Sequence, residues 1–243
     1  MRDRRSSLRV LGAILVGAAV TSLGIALGSW QTRRGDEKAA RQAQLDAAEA
    51  MTPVIVNSRA EFAQVTAQLP RRVRMQGQFL PERTVFIDNR SLNGVAGFQV
   101  VAPLRLPDGA SVLVNRGWIA RDARDPSLMP GVVSPTGSLE IEGLAVARVP
   151  RLLELAPPPS LRVPGIWPNL EPDDYEQMTG LTVARFVVQQ TNASADNLQR
   201  VWVRPASGVE KHRGYALQWY GLAALSACLT TFFGARALRG TRP

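Results

Sequence analysis

The chain has 243 residues and a formal net charge of +9, with 29 Lys and Arg against 20 Asp and Glu. A basic protein suggests a nucleic-acid partner, but residues 31–213 hold 22 basic and 19 acidic side chains, so most of the excess lies at the two ends. We therefore expect no nucleic-acid binding. A single cysteine, Cys228, excludes a disulfide framework and a thiolate metal cluster within the chain. A single histidine, His212, confines imidazole chemistry to one place.

The first long apolar stretch runs from Val10 to Leu27 without a charged side chain. It has about 18 residues, close to the length that crosses a bilayer, and Trp30 follows as an interfacial anchor. A cleaved signal peptide is the alternative, since basic residues precede the stretch and Ala26-Leu27-Gly28 resembles a processing site. We favour a retained transmembrane helix, because the apolar run is longer than that of a usual signal peptide.

The second apolar stretch, Tyr215 to Phe233, is also uncharged. Small residues recur at helical spacing in both stretches, and small faces allow helices to approach closely in lipid. In the first stretch they are Ala13, Gly17, Thr21, Gly24 and Gly28. In the second they are Gly221, Ala224, Cys228, Thr231 and Ala235. The sequence therefore predicts a packed hairpin of two spans.

Arginines precede the first span and follow the second, so the positive-inside rule places both termini in the cytoplasm. We divide the chain into a cytoplasmic N-terminus with the first transmembrane helix (1–30), an extracytoplasmic β-rich domain with a helical stalk (31–211), the second transmembrane helix (212–235) and a basic cytoplasmic tail (236–243). The segment before the first span is too short for a mitochondrial presequence. We therefore expect a multi-pass protein of a bacterial plasma (inner) membrane, with the lipid bilayer as a partner.

Two helices are predicted first in the central domain. Gly35 to Met51 is rich in helix-forming residues and predicts a polar stalk that continues the first span until Pro53 stops it. Ala60 to Gln68, closed by Pro70, predicts a second, short helix.

Two hairpins are predicted next. Arg72 to Phe79 alternates apolar and polar residues, and Thr84 to Asp88 follows after a proline-containing turn. Gly97 to Leu106 and Ser111 to Ile119 flank Pro107-Asp108-Gly109, in which the glycine supplies the positive φ that tight reversals need.

Three further strands are predicted at Ser138 to Val146, Thr182 to Gln189 and Gln199 to Val203. Six or seven strands with few helices predict an α+β domain with a barrel-like or sandwich-like antiparallel sheet. The proline-rich segment Arg148 to Trp167 predicts an irregular excursion. Asp173 to Met178 predicts a short helix capped by Asp173.

Two polar groups in this domain have alternative interpretations. Asn115-Arg116-Gly117-Trp118 ends a predicted strand and could recognise a partner. The alternative is a tight turn, with Gly117 in a special backbone conformation and Trp118 on the core. The acidic run around Asp173 and Glu176 is typical of a solvated helix start, and catalysis by paired carboxylates is the less favoured alternative. The sequence contains no phosphate loop or dinucleotide fingerprint.

His212 lies at the start of the second span. An uncharged imidazole there could ligate an iron whose porphyrin extends into apolar surroundings, and the alternative is a simple interfacial anchor. Tyr215 and Trp219, three and seven residues on, share its helical face and could wall the macrocycle. Three arginines at the same predicted depth could pair with haem propionates: Arg33, Arg34 and Arg213.

Several segments share their residues and order with a known family. They are Leu27-Gly28-Ser29-Trp30-Gln31-Thr32-Arg33-Arg34 with Lys38, Gly77-Gln78-Phe79, Pro103-Leu104 with Asp108-Gly109, Leu113-Val114-Asn115-Arg116-Gly117-Trp118-Ile119 and His212-Arg213-Gly214-Tyr215-Ala216-Leu217-Gln218-Trp219-Tyr220-Gly221. In this respect the chain resembles the surfeit locus protein 1 family, assembly factors for haem-copper cytochrome oxidases, over nearly its whole length. The Asn-Arg-Gly-Trp and His-x-x-Tyr-Ala-x-Gln-Trp segments are the specific ones.

The resemblance implies a non-enzymatic assembly factor of the respiratory chain, in which His212 transiently holds haem a for delivery to cytochrome c oxidase subunit I. It implies oxidase subunit I and haem a synthase as partners. The sequence departs from the family pattern at Glu210-Lys211 and Arg213-Gly214. One alternative is a scaffold of oxidase assembly that binds proteins through Asn115 to Trp118 without haem. The other is an extracytoplasmic enzyme that uses the acidic cluster near Asp173.

Overall fold

A computed structural model describes residues 2–125, 128–152, 162–202 and 208–239. Their contacts divide into a helical unit, residues 2–43 and 208–239, and a barrel unit, residues 44–202. The elements in chain order are α1 (Arg2–Ala50), β1 (Val54–Ile55), α2 (Phe62–Ala67), β2 (Arg71–Phe79), β3 (Val85–Leu92), β4 (Val95–Arg105), β5 (Ser111–Ala120), β6 (Leu139–Val146), β7 (Gly165–Trp167), α3 (Pro172–Thr179), β8 (Val183–Gln190) and α4 (Val209–Arg239).

The helical unit contains two helices, α1 and α4, that are each long and apolar enough to cross a membrane. α1 joins the predicted first span and the predicted stalk without a break, and it ends at Ala50, shortly before Pro53. Only 6% of the apolar window of α1 and 11% of that of α4 are buried. These apolar surfaces are therefore mostly exposed, unlike those of a helix in the core of a globular domain.

The predicted small-residue face of α1 contacts α4. A Cβ atom at Gly24 would lie 2.9 Å from the Cβ atom of Ala223, so the two backbones leave no room for a side chain there. The Ser226 hydroxyl donates a hydrogen bond of 3.1 Å to the carbonyl oxygen of Gly17 across the same interface. The predicted hairpin of packed helices is confirmed.

The predicted contact face of α4 is wrong. Ala223 and Gly234 are buried, whereas the residues predicted for this face are exposed: Gly221, Ala224, Cys228, Thr231 and Ala235. The contacting stripe begins one position earlier, which rotates the helix by about 100°. This orientation places Ser226 and Thr230 opposite Gly17, whose carbonyl oxygen accepts the hydrogen bond from Ser226.

The barrel unit is one sheet with the strand order β1-β2-β6-β8-β5-β4-β3-β7. An additional pairing of β2 with β4 closes a ring of five strands, β2, β6, β8, β5 and β4. Gly77 lies at this closure, where a Cβ atom would collide with the backbone of Arg105. Of the two predicted architectures, the structure forms the barrel-like one.

Two expectations about strand pairing are wrong. The sheet is not wholly antiparallel, because β1–β2, β3–β7 and β5–β8 are parallel pairs. The strands β2 and β3 do not form a hairpin, since β2 pairs along its length with β6 and β3 pairs with β4. A turn sequence shows where the chain reverses, but the neighbouring strand is chosen by the closure of the whole sheet. The second predicted hairpin, β4–β5, is confirmed, and Gly109 in its turn has φ +86°.

Alternation along the strands places the two largest apolar clusters on opposite faces of the sheet. In β8, Ala184, Phe186 and Val188 belong to the first cluster, together with Val73 and Met75 of β2. The second cluster lies on the other face and includes the following residues: Ile87, Leu113, Trp167, Tyr175 and Val187. Both faces are covered along most of β4, β5 and β8, whereas β2 buries one face and exposes the other.

The structure differs from the prediction in the irregular segment Arg148 to Trp167 and in the last strand, Gln199 to Val203. Residues 165–167 of the segment form β7, which pairs in parallel with β3, while residues 153–161 lie outside the described residues. Within the described part of the predicted strand Gln199 to Val203, the pairing is limited to a bridge between Gln199 and Trp118, and Val203 lies outside the described residues.

The two short helices of the barrel unit are confirmed near their predicted positions. A 3₁₀ turn capped by Ser58 leads into α2. The predicted cap of α3 is wrong, because Glu171 and not Asp173 occupies the N-cap. Pro172 takes the first helical position, where its fixed φ and missing N–H are favourable.

Candidate functional site

His212 lies in the first turn of α4. The helix begins at Val209, three residues before the predicted second transmembrane helix (212–235), and the His212 backbone N–H donates to the carbonyl oxygen of Gly208 at 3.0 Å. The side chain is half-buried. The imidazole is therefore attached to regular α-helical backbone.

The imidazole ring of His212 contacts Gln31 of α1 within the helical unit. Its Nδ1 atom lies 2.6 Å from the side-chain Oε1 of Gln31. The other ring nitrogen, Nε2, makes no hydrogen bond within the part of the chain that the structure describes. One nitrogen is thus engaged with the protein and the other is free to bind a ligand.

The two predicted aromatic residues share the helical face of His212, since α4 is continuous through this region. Tyr215 is 52% exposed, and Trp219 is half-buried. The prediction that all three side chains share one face is confirmed.

The three arginines predicted to pair with haem propionates differ in their positions relative to Gln31 and His212. Arg34 lies one turn from Gln31, on the same side of α1, and forms an exposed ion pair with Glu37 at 3.0 Å. Arg33 lies two residues from Gln31, and side chains at that spacing do not face each other on a helix. Arg213 pairs with Glu210 at 3.4 Å. Arg34 and Arg213 are thus each engaged in an exposed ion pair on their own helix.

Gln31 belongs to the site although it was not predicted as a site residue. The spacing in the sequence could have indicated this role. Gln31 follows Gly24 and Gly28 at helical spacing and therefore lies on the face of α1 that contacts α4. A second polar pair lies further along the same interface, where the hydroxyls of Ser29 and Tyr220 are 3.2 Å apart.

The structure buries the predicted partner-binding segment. Asn115 and Arg116 are fully buried and Trp118 is 7% exposed. Gly117 has φ +144°, and the indole nitrogen of Trp118 donates to the carbonyl oxygen of Arg90 at 2.7 Å. These features match the alternative of a special turn with Trp118 on the core. Partner binding by this segment stays a prediction, and direct contact would require the strand end to open.

Arg116 is held by groups inside the barrel unit. Its guanidinium donates to the Ser134 hydroxyl at 2.7 Å and to the buried carboxylate of Asp196 at 3.2 Å, and it lies over the Phe79 ring. Burial lowers the pKa of Arg116, and the charge of Asp196 opposes that shift. Asp196 also pairs with Arg200 at 2.6 Å, so Arg116 belongs to a buried ion-pair network that supports the structure of the barrel unit.

The acidic cluster of α3 also makes local contacts. Glu176 accepts a hydrogen bond from the backbone N–H of Val183 at 2.9 Å and pairs with Arg185 at 2.7 Å, and Asp173 pairs with the same arginine. Among the described residues, no group of three or more His, Cys, Asp or Glu side chains could hold a metal ion. The cluster therefore fixes the start of β8 against α3.

The fold and the site together define a class of protein. It has apolar helices at both ends of the chain, a β-barrel unit between them in sequence, and one imidazole in the first turn of the second helix. The sequence profile described as the SURF1 family matches residues 18–224. The chain belongs to the SURF1 family, which is known for the assembly of cytochrome oxidase. The resemblance found in the sequence is confirmed.

Individual relatives show the same similarity. The chain is 25% identical over 206 residues to a SURF1-like protein of Rickettsia felis, a match that covers 82% of this chain and 86% of that protein. It is 30% identical over 115 residues to a SURF1-like protein of Dictyostelium discoideum, covering 44% and 43% of the two chains. It is 32% identical over 112 residues to surfeit locus protein 1 of Arabidopsis thaliana, covering 42% and 32%. The last two matches thus span less than half of those relatives.

Proposed function

We propose that this chain is a non-enzymatic assembly factor for haem-copper cytochrome c oxidase that holds haem a through His212 for delivery to oxidase subunit I. Membership of the SURF1 family supports the assembly role. The observation that carries the haem-holding step is the free Nε2 atom of His212, the single imidazole of the chain, with Nδ1 engaged by Gln31.

The chemistry of the surrounding residues suits such a cargo. Haem iron offers an axial position that an uncharged imidazole nitrogen fills. Tyr215 and Trp219 supply aromatic surface on the helical face of His212, and apolar helix surface continues below them. Arg34 lies one turn from Gln31 on α1 and supplies a guanidinium, a group that suits a propionate carboxylate.

The same features support release of the cargo. The chain supplies one imidazole, and Tyr215 remains 52% exposed beside it. A carrier must give up its cargo, so a half-open site with one protein ligand fits transient holding better than a fully enclosed pocket. In this proposal oxidase subunit I receives the haem, and haem a synthase supplies it.

We place the protein in a bacterial plasma membrane with α1 and α4 as spans and both termini in the cytoplasm. The exposed apolar surfaces of both helices support insertion, and Arg236 and Arg239 in the last turn of α4 support a cytoplasmic end. The contacts of Gly17 and Gly24 with α4 favour a retained span over a cleaved signal peptide, because cleavage would remove half of this interface.

The proposal is tested by the haem content of the purified full-length protein from haem a-producing cells. We expect absorbance of bound haem a in the wild type and its loss in His212→Ala. Gln218→Ala is the matched control, since Gln218 is exposed on the same helix, and it should keep the haem. Equal haem content in His212→Ala and the wild type would remove the ligand assignment.

A deletion strain tests the assembly role separately. We expect loss of the oxidase absorbance bands and of oxidase activity, restored by the wild-type gene. Restoration to the same level by His212→Ala would favour the non-haem scaffold. An unchanged oxidase in the deletion strain would contradict both assembly functions.

A further inference from the structure

We infer that Gln31 is the positioning residue of His212: its side-chain carbonyl keeps the imidazole proton on Nδ1 and thereby makes Nε2 the nitrogen that binds iron. The tautomer part of this inference stands on the geometry of the haem-free chain. The iron-binding part rests on the proposed function.

The first step is the direction of the hydrogen bond. The Oε1 atom of Gln31 is a carbonyl oxygen and can only accept, and it lies 2.6 Å from Nδ1 of His212. Nδ1 must therefore donate. A neutral imidazole carries one N–H proton, so Nε2 has a free lone pair.

The second step is the rigidity of the pair. Gln31 lies on the face of α1 that contacts α4, and at this level the helices are still close. A Cβ atom at Gly35 would lie 3.5 Å from the Cβ atom of His212. His212 is anchored at its backbone by the first helical hydrogen bond of α4, to Gly208. Both partners therefore sit on regular helix, which fixes the ring plane better than a loop would.

The third step is the chemical consequence. Histidines that bind metals usually donate their second N–H to a carbonyl or carboxylate, which fixes the tautomer and the ring orientation and makes the ligating nitrogen more basic. Gln31 is placed to serve His212 in this way. Without it the ring is free to turn, and its proton can move to Nε2, where it blocks coordination.

The tautomer can be measured without haem, because His212 is the single histidine of the chain. The full-length protein carries an affinity tag without histidine, is labelled with ¹⁵N-histidine in a strain that makes no haem a, and is reconstituted in lipid nanodiscs. The ¹⁵N shifts of the ring are recorded at a pH where it is neutral. Protonated and unprotonated ring nitrogens give well-separated signals, and with the ¹⁵N label at Nδ1 alone the single signal reports directly whether that nitrogen carries the proton.

We expect Nδ1 to carry the proton in the wild type. Gln31→Leu removes the acceptor at similar size, and the ratio of the Nδ1–H to the Nε2–H tautomer should fall at least about fivefold, the equivalent of one hydrogen bond of about 1 kcal/mol. Gln31→Glu keeps an acceptor and should retain the Nδ1–H form. Gln218→Leu, on the exposed side of α4, should leave the spectrum unchanged.

Two results would overturn the inference. One is a wild-type spectrum dominated by the Nε2–H tautomer. The other is a spectrum of Gln31→Leu that equals the wild type. The wild-type spectrum needs no variant to fold, and circular dichroism of Gln31→Leu shows whether the helices have been kept.

Haem titration provides the second readout. Haem affinity should fall about 10- to 100-fold in Gln31→Leu, the range seen when a metal-ligand's hydrogen-bond partner is removed. Gln31→Glu should bind haem with a lower reduction potential than the wild type, since a carboxylate makes the ligating nitrogen more basic. If the tautomer changes as expected while neither protein binds haem, the proposed function fails and the positioning of His212 by Gln31 stands. If haem binds equally to both proteins, the role of Gln31 in binding fails alone.

Discussion

The packing of α1 against α4 gives a sharp test at Gly24. In Gly24→Ala the new methyl group would lie 2.9 Å from the Cβ atom of Ala223 and 3.1 Å from the carbonyl oxygen of Trp219. Carbon atoms in contact prefer a separation of about 3.5–4.0 Å, so the helices must move apart by about 0.6–1 Å.

The expected cost follows from this displacement. Adding a methyl group to a filled interface costs about 1–3 kcal/mol. The same movement would stretch the hydrogen bond from Ser226 to Gly17, now 3.1 Å, past its useful range. An interhelical hydrogen bond of this kind contributes about 0.6 kcal/mol in a membrane protein. Gly24→Ala should therefore lower the free energy of unfolding of the helical unit by about 1.5–3.5 kcal/mol.

The control is Gly221→Ala on α4. A Cβ atom there meets nothing within 4 Å, and alanine is the better helix former by up to about 1 kcal/mol. We expect stability to be unchanged or slightly raised. Unfolding of the full-length protein from mixed micelles with increasing SDS, followed by tryptophan fluorescence, measures both variants. A larger loss in Gly221→Ala than in Gly24→Ala would show that the face predicted from the sequence is the true interface.

Three further predictions concern the barrel unit. Arg116→Met should destabilise it by about 1.5–3 kcal/mol, the cost of a lost hydrogen bond to a charged group, because Asp196 loses its 3.2 Å ion pair with Arg116 and keeps the 2.6 Å pair with Arg200, and a urea midpoint equal to the wild type would contradict this. Gly117→Ala should cost about 1–3 kcal/mol in the same urea titration, since φ is +144°, and a loss equal to that of an exposed Gly131→Ala control would refute the strain argument. Hydrogen bonds from the side chains of Arg72, the larger effect, and Arg74 lower the pKa of Glu142. The contribution of Glu142 to stability is therefore present above the unfolded pKa of about 4.3 and is lost as the pH falls through the lower pKa of the folded state. The difference in urea midpoint between the wild type and Glu142→Gln should therefore be present at pH 7 and disappear in acid, and a difference that grows in acid would reverse the sign.

Local patterns predicted much of the fold correctly. The alternation of β2, the apolar runs of α1 and α4, and the turn between β4 and β5 each depend on residues close together in the chain. Neighbouring residues share one secondary-structure element, so their periodicity records which face is buried. For the same reason the placement of Tyr215 and Trp219 beside His212 could be predicted from spacing alone.

Pairing between distant elements could not be predicted in this way. The same set of strands could be arranged in many orders within a sheet, and the pairing of β2 with β4 selects one of these orders. The face of α4 was misjudged because its small residues form two neighbouring stripes, and the choice between them depends on what lies opposite, at Gly17. The burial of Arg116 depends on Asp196, which lies 80 residues away in the chain.

The sequence by itself determined that there are two apolar helices, a strand-rich segment between them and one imidazole at the start of the second helix, because each of these is a local property of the chain. Only the tertiary structure decided which nitrogen of that imidazole is free. Gln31 and His212 are separated by 181 residues, and the hydrogen bond between them exists because α1 and α4 pack face to face. The residue type at one position could suggest a ligand, but its orientation is set by a side chain from the other end of the chain.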